Sequence, residues 1–584
     1  MITKYDLDLM IQIPVQYEIK MEILKENGTI LDILRGVIVG GSASIDSTSS
    51  MRRTFSATII PTLFDRNDTK ITEDGLIWIN KEIHLYIGLF DIRKKEYVYY
   101  SMGYYVYTNT SGNYDASTNQ LTINCNDFIA KLDGTKNGQL GTLTTLIPAY
   151  EENPATGEVI KYNIIREAMI TILSQFGNIK NYIIDDIGEY KAMPQNNDNW
   201  LQYRKENPLW NTIPYDLEFS SGISILTILE KLRDIYPNYE MFFDAQNTFI
   251  CRMIPGCYKD DIIFSNELLQ SILISENLNV EMNKVRNICE VWGKVIEANF
   301  YTENCTYNNN IYTCTINGYD EKYYNGDLAA VRIPFANTAN SKININNLGN
   351  IDIMDENTDS PINANVLEKD VVFVFKIKSK RINNETIFYA YLLGHWQAHG
   401  LNVLTDGTIG DKYTFPDGTI LRKYSKEYFQ KRYNCESVEF QVIQNSPFTV
   451  QKIGEILDVK TGGEYENIIS DSLALSRAKW ENWKNARLTD SITLVTSLVP
   501  FYDVNIKVSY QNSDSDREEQ YIIKSVSHDF SSWTSSLTMY KFYPLYDDIL
   551  KEKGTHKALS GYKHGVLGKY TYAELTGIIG GDTY

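Results

Sequence analysis

One glycine-rich stretch near the N-terminus restricts the possible folds of this chain more than any other segment. It runs from Gly40 to Thr62 and reads GGSASIDSTSSMRRTFSATIIPT. Small or polar residues alternate with apolar ones at positions 45, 55, 57 and 59, the period-two pattern of half-buried strands. The polar run Asp46–Ser50 predicts a turn between two strands. The stretch is therefore predicted to form an antiparallel strand pair.

Two adjacent arginines, Arg52 and Arg53, open the second strand of this pair. Neighbouring side chains of an extended strand point to opposite faces. One guanidinium is therefore expected to reach solvent or a neighbouring subunit, and the other to bind a carboxylate or backbone carbonyls. Two interpretations stay open: a solvated strand with one surface ion pair, or a contact with a partner or another subunit. Asp503, within PFYDVN, is likewise either a turn residue or part of such a contact.

A second β-rich region, far along the chain, echoes the first. Leu488–Tyr510 and the segments YIIKSVSHDF and SSLTMYKFYP alternate like strands, whereas 164–176 has the apolar spacing of a helix. The predicted fold class is α+β and predominantly antiparallel β, with two similar β units, each closing as a barrel or a sandwich, and an α+β module between them. The predicted division is a first β unit over 1–150, an α+β module over 151–284 and a second β unit over 285–547. It adds an inserted or peripheral segment at about 301–365 and an extended glycine-rich tail over 548–584.

Charge and cysteine usage narrow the class of protein. The formal net charge is −18, and no block of five basic residues occurs, so a nucleic-acid-binding surface is not expected. Seven cysteines without framework spacing argue against a disulfide scaffold and for assembly in a reducing cytoplasm. Cys305 and Cys314 flank a short loop and could bridge, although a free pair is favoured. Neither a signal peptide nor a membrane span is expected.

The sequence contains no convincing catalytic constellation. His395 and His399 have the spacing of two helical metal ligands, but the glutamate of HExxH is absent and the segment resembles a strand end. The glycine pairs lack the other residues of a phosphate-binding loop or a dinucleotide-binding turn. We therefore expect no enzyme activity, no cofactor and no metal site.

Several stretches together resemble a known family. They are GSASIDSTSSMRRTFSATI, the strand YYSMGYYVYT with NDFIAKLDGTKNGQLG, the NSPFTVQKIGEILDVKTGGEYENIISDSLALSRAKW block, and LVPFYDVNIKVSY with YIIKSVSHDF. These stretches are similar to the tail-tip or baseplate hub proteins of tailed bacteriophages and phage-tail-like particles. The resemblance covers most of 1–547, with 301–365 poorly matched.

The resemblance implies a homotrimer whose two tube-like β-barrel domains per chain make a pseudo-sixfold ring. Such a ring joins the tail tube to a central spike or fibre and forms part of the DNA-ejection channel, in a virion assembled in the host bacterial cytoplasm. Implied partners are tail-tube or tube-initiator proteins, the tape-measure protein and the spike or fibre, with DNA passing through without specific binding. The alternative is a peripheral host-surface or carbohydrate-binding tail protein, which the aromatic content and loop-rich 301–365 favour. A peptidoglycan hydrolase is a third alternative.

Overall fold

The computed structural model describes most of the chain up to residue 542. The described residues are 3–60, 73, 75–108, 113–115, 117–141, 145–153, 159–189, 192–194, 199–236, 238–255, 262–291, 300–319, 322–355, 359–382, 385–395, 412–414, 420–422, 453–454, 456–463, 465, 471–485 and 489–542. The predicted tail over 548–584 and His399 lie outside them.

The N-terminal elements form the first β unit. They are α1 (Lys4–Ile11), β1 (Tyr17–Lys25), β2 (Ile30–Arg35), β3 (Ile38–Asp46), β4 (Arg53–Ile59), β5 (Lys81–Asp91), β6 (Glu96–Tyr107), β7 (Asn113–Asp115), β8 (Gln120–Asp127) and a 3-10 helix, Phe128–Lys131. The predicted turn at Asp46–Ser50 lies between β3 and β4, which pair in antiparallel register.

The next elements mix helices with short strands. They are β9 (Thr145–Ile147), β10 (Tyr150–Glu152), β11 (Val159–Tyr162), α2 (Ile165–Thr171) with a π-helical turn (Ile172–Phe176), β12 (Tyr182–Ile184), α3 (Trp200–Glu206), β13 (Leu217–Phe219), α4 (Ile225–Arg233), β14 (Tyr239–Phe243) and β15 (Phe249–Met253). Helices α2 and α4 bury apolar faces in one core with these strands. This is the predicted α+β module.

The remaining elements build a second β unit and an inserted β domain. They are β16 (Ile262–Phe264), α5 (Asn266–Ile272), β17 (Leu273–Glu281), β18 (Ile288–Val291), β19 (Phe300–Thr302), β20 (Cys305–Asn308), β21 (Ile311–Cys314), β22 (Leu328–Arg332), β23 (Lys342–Ile345), β24 (Ile351–Asp355), β25 (Ser360–Pro361), β26 (Val372–Ile382), β27 (Glu385–His395), β28 (Lys412–Thr414), β29 (Ile420–Arg422), β30 (Leu457–Lys460), α6 (Asp471–Asn485), β31 (Thr489–Ser497), β32 (Lys507–Tyr510), β33 (Glu519–Asp529) and β34 (Thr534–Lys541). Of the helices described, none is long and apolar enough to cross a membrane.

One predominantly antiparallel sheet runs through both β units. Its strand order is β17-β31-β34-β33-β3-β4-β8-β6-β5-β1-β2, and β7, β16 and β32 pair at its sides. The junction of the units is the antiparallel pair β3–β33, in which Ser42 lies opposite Asp529 and Asp46 opposite Ser525. Each unit curls around a core that includes residues of the other unit: Phe530 packs in the first core and Ile45 in the second. The fold is therefore predominantly antiparallel β, as predicted, with its two β units interlocked.

Two groups of strands belong to other sheets than the sequence analysis assigned. Strand β17, placed in the α+β module, pairs with β31 of the second β unit instead. Strands β26 and β27, placed in the predicted second β unit, pair with β22 and β24 of the inserted segment in a nine-stranded sheet with its own core. Alternation shows which face of a strand is buried and does not identify its neighbour, so these partners are not readable from the local pattern. The division at residues 150 and 284 stays a prediction.

Gly41 has a backbone conformation in β3 that residues with a side chain rarely adopt. Its φ is +132°, and a Cβ added there would lie 2.2 Å from the carbonyl oxygen of Ser56 on β4. We expect Gly41→Ala to lower the free energy of unfolding by about 1–3 kcal/mol from the backbone conformation alone, with the close contact adding to the loss. Urea denaturation measures the change. Gly40→Ala is the matched control, since its Cβ meets only the side-chain oxygen of Ser531, at 3.2 Å; equal losses would contradict the prediction.

Candidate functional site

The adjacent arginines lie where the first β unit meets the other two parts of the fold. The Nη2 atom of Arg52 is 2.6 Å from Oε2 of Glu240 on β14, in the α+β module. The Nη2 atom of Arg53 is 2.8 Å from Oδ2 of Asp503, in the loop between β31 and β32. Two consecutive residues at the start of β4 thus bind the module on one side and the second β unit on the other.

Both arginines are buried, each with 3% of its surface exposed. The prediction that the two side chains diverge is correct, but the expectation that one of them reaches solvent is wrong. Burial of a charge requires a partner, and each guanidinium has a carboxylate of its own chain. Asp503 is 33% exposed at its side chain. A role of these three residues in a contact between subunits stays a prediction.

Glu240 is the centre of the charged cluster. Besides Arg52, its carboxylate accepts hydrogen bonds from Nε of Arg252, at 2.7 Å, and from Nδ2 of Asn505, at 2.6 Å. The Oδ1 atom of Asn505 accepts from Lys524 Nζ at 2.9 Å. Burial lowers the pKa of Lys524 to about 8, although the charge of Glu240 acts in the opposite direction. One buried carboxylate therefore faces several cationic groups, and the cluster contains residues of all three parts of the fold.

Aromatic contact supplements this charge balance. The Arg52 guanidinium carbon lies 4.0 Å from the centre of the Phe242 ring, and that of Arg252 lies 5.2 Å from the same ring. A guanidinium over an aromatic face is attracted by the ring quadrupole, more strongly when water is absent. Phe242 thus stabilises the two cations that share Glu240.

Asp127 orders the backbone on the other side of the arginines. Its Oδ2 accepts the backbone N–H of Arg53 at 2.8 Å, and its Oδ1 accepts that of Ile129 at 3.0 Å. The second bond caps the 3-10 helix Phe128–Lys131. Burial raises the pKa of Asp127 to about 6, while both backbone hydrogen bonds and the nearby arginines act to lower it.

The arrangement is built for holding parts together. Its groups form charge-assisted hydrogen bonds, which are the stronger kind in proteins. In the part of the chain that the structure describes, no three histidine, cysteine or carboxylate side chains converge in a way that could hold a metal ion. The charged cluster around Glu240 therefore links the two β units and the module to one another.

Glu240, Asn505 and Lys524 were not predicted from the sequence. Glu240 is the only charged residue of the strand YEMFF, and Lys524 is the only one in YIIKSV. A charged residue inside an apolar strand must find a partner when the strand is buried. That signal was available for both residues, although it does not reveal which partner each one has.

Comparison with known proteins gives one family match and several distant structures. Residues 445–546 match a family model described as a domain of unknown function, DUF5048, and no curated protein matches the chain. A tail protein from Neisseria meningitidis aligns over 91% of this chain and 98% of its own, with 7% identity and a TM-score of 0.40. The 43 kDa tail protein of prophage MuSo2 from Shewanella oneidensis aligns over 90% and 97%, with 9% identity and a TM-score of 0.39. Prophage tail protein gp18 from Listeria monocytogenes aligns over 92% and 99%, with 9% identity and a TM-score of 0.36.

All three solved structures are described as tail proteins.

Proposed function

We propose that this chain is a structural hub at the tip or baseplate of a phage tail or a phage-tail-like particle. The observation that carries the proposal is the sheet that continues from the first β unit to the second through β3 and β33. One chain thereby presents two β units side by side. Three chains around an axis would present six β units. Six units match the six-fold symmetry of the tail tube that the sequence resemblance implies.

The charged cluster around Glu240 supports a role in transmitting force between neighbouring parts of a particle. Buried Arg52 binds buried Glu240 of the module, and buried Arg53 binds the partly exposed Asp503 of the second β unit. Because each partner is needed to compensate a buried charge, separating the parts is costly. A ring that transmits force between tube and spike requires such fixed geometry.

The two ends of the long sheet supply candidate contacts between copies. The end strand β2 exposes Ile30, Leu31 and Ile33, and the end strand β17 exposes Ile274, Leu278 and Val280, at 37% to 59% of their surfaces. Open apolar strand edges favour pairing with another chain. Contact between β2 of one copy and β17 of the next is heterologous, and a heterologous contact closes into a ring when its rotation allows.

Substitution on β17 tests this contact. We expect Leu278→Lys with Val280→Lys to shift the purified protein from trimer to monomer, because two ammonium groups would be desolvated in an apolar contact. Light scattering coupled to size-exclusion chromatography measures the mass. Ile183→Lys on β12, at a residue 59% exposed, is the matched control and should stay trimeric. A trimer of unchanged stability in the doubly substituted protein would exclude this edge.

The proposed partners follow from the hub role. They are tail-tube or tube-initiator proteins, the tape-measure protein and a central spike or fibre, in a virion assembled in the host bacterial cytoplasm. DNA would pass through the ring without specific binding, since a net charge of −18 opposes the phosphate contacts that dominate such binding. The role requires no enzyme activity.

Electron cryomicroscopy of intact particles tests the function directly. Three copies around the tail axis, between a six-fold tube and a central tip, are expected. Copies projecting from the periphery would instead support the alternative, a host-surface or carbohydrate-binding tail protein.

A further inference from the structure

The hairpin of β20 and β21 places two cysteines directly opposite each other. Asn309 and Asn310 form its two-residue turn with φ values of 50° and 64°, the left-handed conformation that asparagine tolerates better than most residues. Turn length fixes the register of a hairpin. In this register Cys305 pairs with Cys314.

This cysteine pair occupies a position of the non-hydrogen-bonded kind. Asn308 and Ile311 close the two-residue turn and form a hydrogen-bonded pair. Hydrogen-bonded and non-hydrogen-bonded pairs alternate along an antiparallel ladder, so the cysteine pair, three positions further, is non-hydrogen-bonded. The N–H of Thr315 donates to the carbonyl of Asn304 at 2.9 Å, just outside the cysteines, as that alternation requires. The Cα atoms of a non-hydrogen-bonded pair are about 4.5 Å apart, within the range of about 4.4–6.8 Å found for disulfides.

The neighbouring pair on the same face shows that side chains meet across this hairpin. Tyr307 and Tyr312 stack with their ring centres 4.3 Å apart. They lie two positions from the cysteines along each strand, so both pairs share one face of the sheet. The thiols of Cys305 and Cys314 are free in this structure.

We propose that Cys305 and Cys314 form a modification site, a dithiol that closes to a cross-strand disulfide when the folded protein meets a small-molecule disulfide. Glutathione disulfide represents this class of oxidant. The inference rests on the hairpin alone and is independent of the hub role.

The reaction is a two-step thiol–disulfide exchange. The thiolate of Cys305, which is partly exposed, attacks one sulfur of glutathione disulfide and displaces a glutathione thiolate. The thiol of Cys314 then loses its proton, attacks the Cys305 sulfur of the mixed disulfide and displaces the second glutathione. Two protein S–H bonds are lost, one S–S bond forms, and the oxidant is reduced to two thiols.

The second step should be the slower one. Cys314 is buried. Its hydrogen bond with Cys305 and its burial both raise the pKa of the Cys314 thiol in the dithiol, and burial still acts in the mixed disulfide. The thiolate is the attacking species, so a raised pKa slows attack.

A disulfide between Cys305 and Cys314 would hold the edge strand of a sheet in place. Strand β20 is the last strand at one end of the nine-stranded sheet, and edge strands are held on one side only. Linking β20 to β21 would keep the edge strand paired. A protein assembled under reducing conditions would form this disulfide only after release into an oxidising medium.

Peptide mapping of the full-length protein tests the proposal. The folded protein is incubated with glutathione disulfide, alkylated under denaturing conditions and cleaved with chymotrypsin, which cuts after Tyr307 and Tyr312 and so separates the two cysteines. We expect the two resulting fragments to remain joined until reduction, with the loss of two hydrogen atoms. The bridged protein should also resist limited proteolysis within β20 longer than the reduced protein.

Cys125→Ser, at a buried cysteine of β8, is the matched control and should still form the bridge, whereas Cys305→Ser should not. A persistent glutathione adduct on Cys305 with Cys314 alkylated would overturn the proposal. So would alkylation of both cysteines, or a link from Cys305 to a different cysteine.

Discussion

Replacing Glu240 with glutamine is expected to lower the free energy of unfolding by about 3–5 kcal/mol, the usual cost of leaving a buried ion-pair partner uncompensated. The side chain of Glu240 is 3% exposed and its carboxylate binds Arg52, Arg252 and Asn505. A neutral amide of the same shape offers one acceptor oxygen, and its NH₂ group would face a donor. Urea denaturation at neutral pH measures the loss.

A surface ion pair provides the matched control for this substitution. Glu167 binds Lys161 at 3.0 Å, with the two side chains 55% and 52% exposed. Exposed pairs contribute about 0–1 kcal/mol, so Glu167→Gln should leave stability nearly unchanged. Adding Arg52→Met to Glu240→Gln removes one uncompensated cation and should restore part of the loss, because the two residues are coupled. Equal small effects of Glu240→Gln and Glu167→Gln would show that the charged cluster around Glu240 does not hold the three parts together.

The strand pair that contains the arginines was predictable because its information is local. Alternation from Ile45 to Ile59 indicates which residues are buried, and the polar run at Asp46–Ser50 marks the turn. The same alternation requires Arg52 and Arg53 to diverge. What it does not contain is the identity of their partners, since Arg53 and Asp503 are 450 positions apart.

The inserted β domain was harder to predict for a different reason. Its strands between residues 300 and 361 are only 2 to 5 residues long and are separated by asparagine-rich turns, so each is too short to show a clear period-two pattern. Asn346 and Asn347 adopt positive φ values of 49° and 62°, as Asn309 and Asn310 do, and each such pair marks a tight turn. A sequence that is read as loop because of its asparagines can therefore be a series of hairpins.

Lowering the pH should weaken the fold through a buried histidine, His528. Its Nδ1 lies 2.9 Å from the hydroxyl oxygen of Ser535, which itself accepts the N–H of Val499 at 3.1 Å. Burial, aided by the charge of Arg53, lowers the pKa of His528 to about 3.

The folded and the unfolded chain bind different numbers of protons at acidic pH. An unfolded histidine has a pKa near 6.5, so between about pH 6.5 and 3 the unfolded chain binds a proton that folded His528 does not. The stability contributed by neutral His528 is present above pH 6.5 and is lost at about 1.4 kcal/mol per pH unit as the pH falls. His84 acts in the same direction, since burial lowers its pKa to about 4.

Asp127 opposes the histidines in part of this range, which makes the prediction specific. Its pKa, raised to about 6, lets the folded chain bind a proton that the unfolded chain releases between about pH 6 and 4. His528→Asn should therefore flatten the fall in unfolding free energy between pH 6 and 4.5, and Asp127→Asn should steepen it, each by about 1.4 kcal/mol per pH unit. Urea denaturation at a series of pH values measures both slopes, and the absolute stability of each variant cancels in the comparison. Slopes that both variants leave unchanged would mean that neither group titrates differently in the folded and unfolded chain.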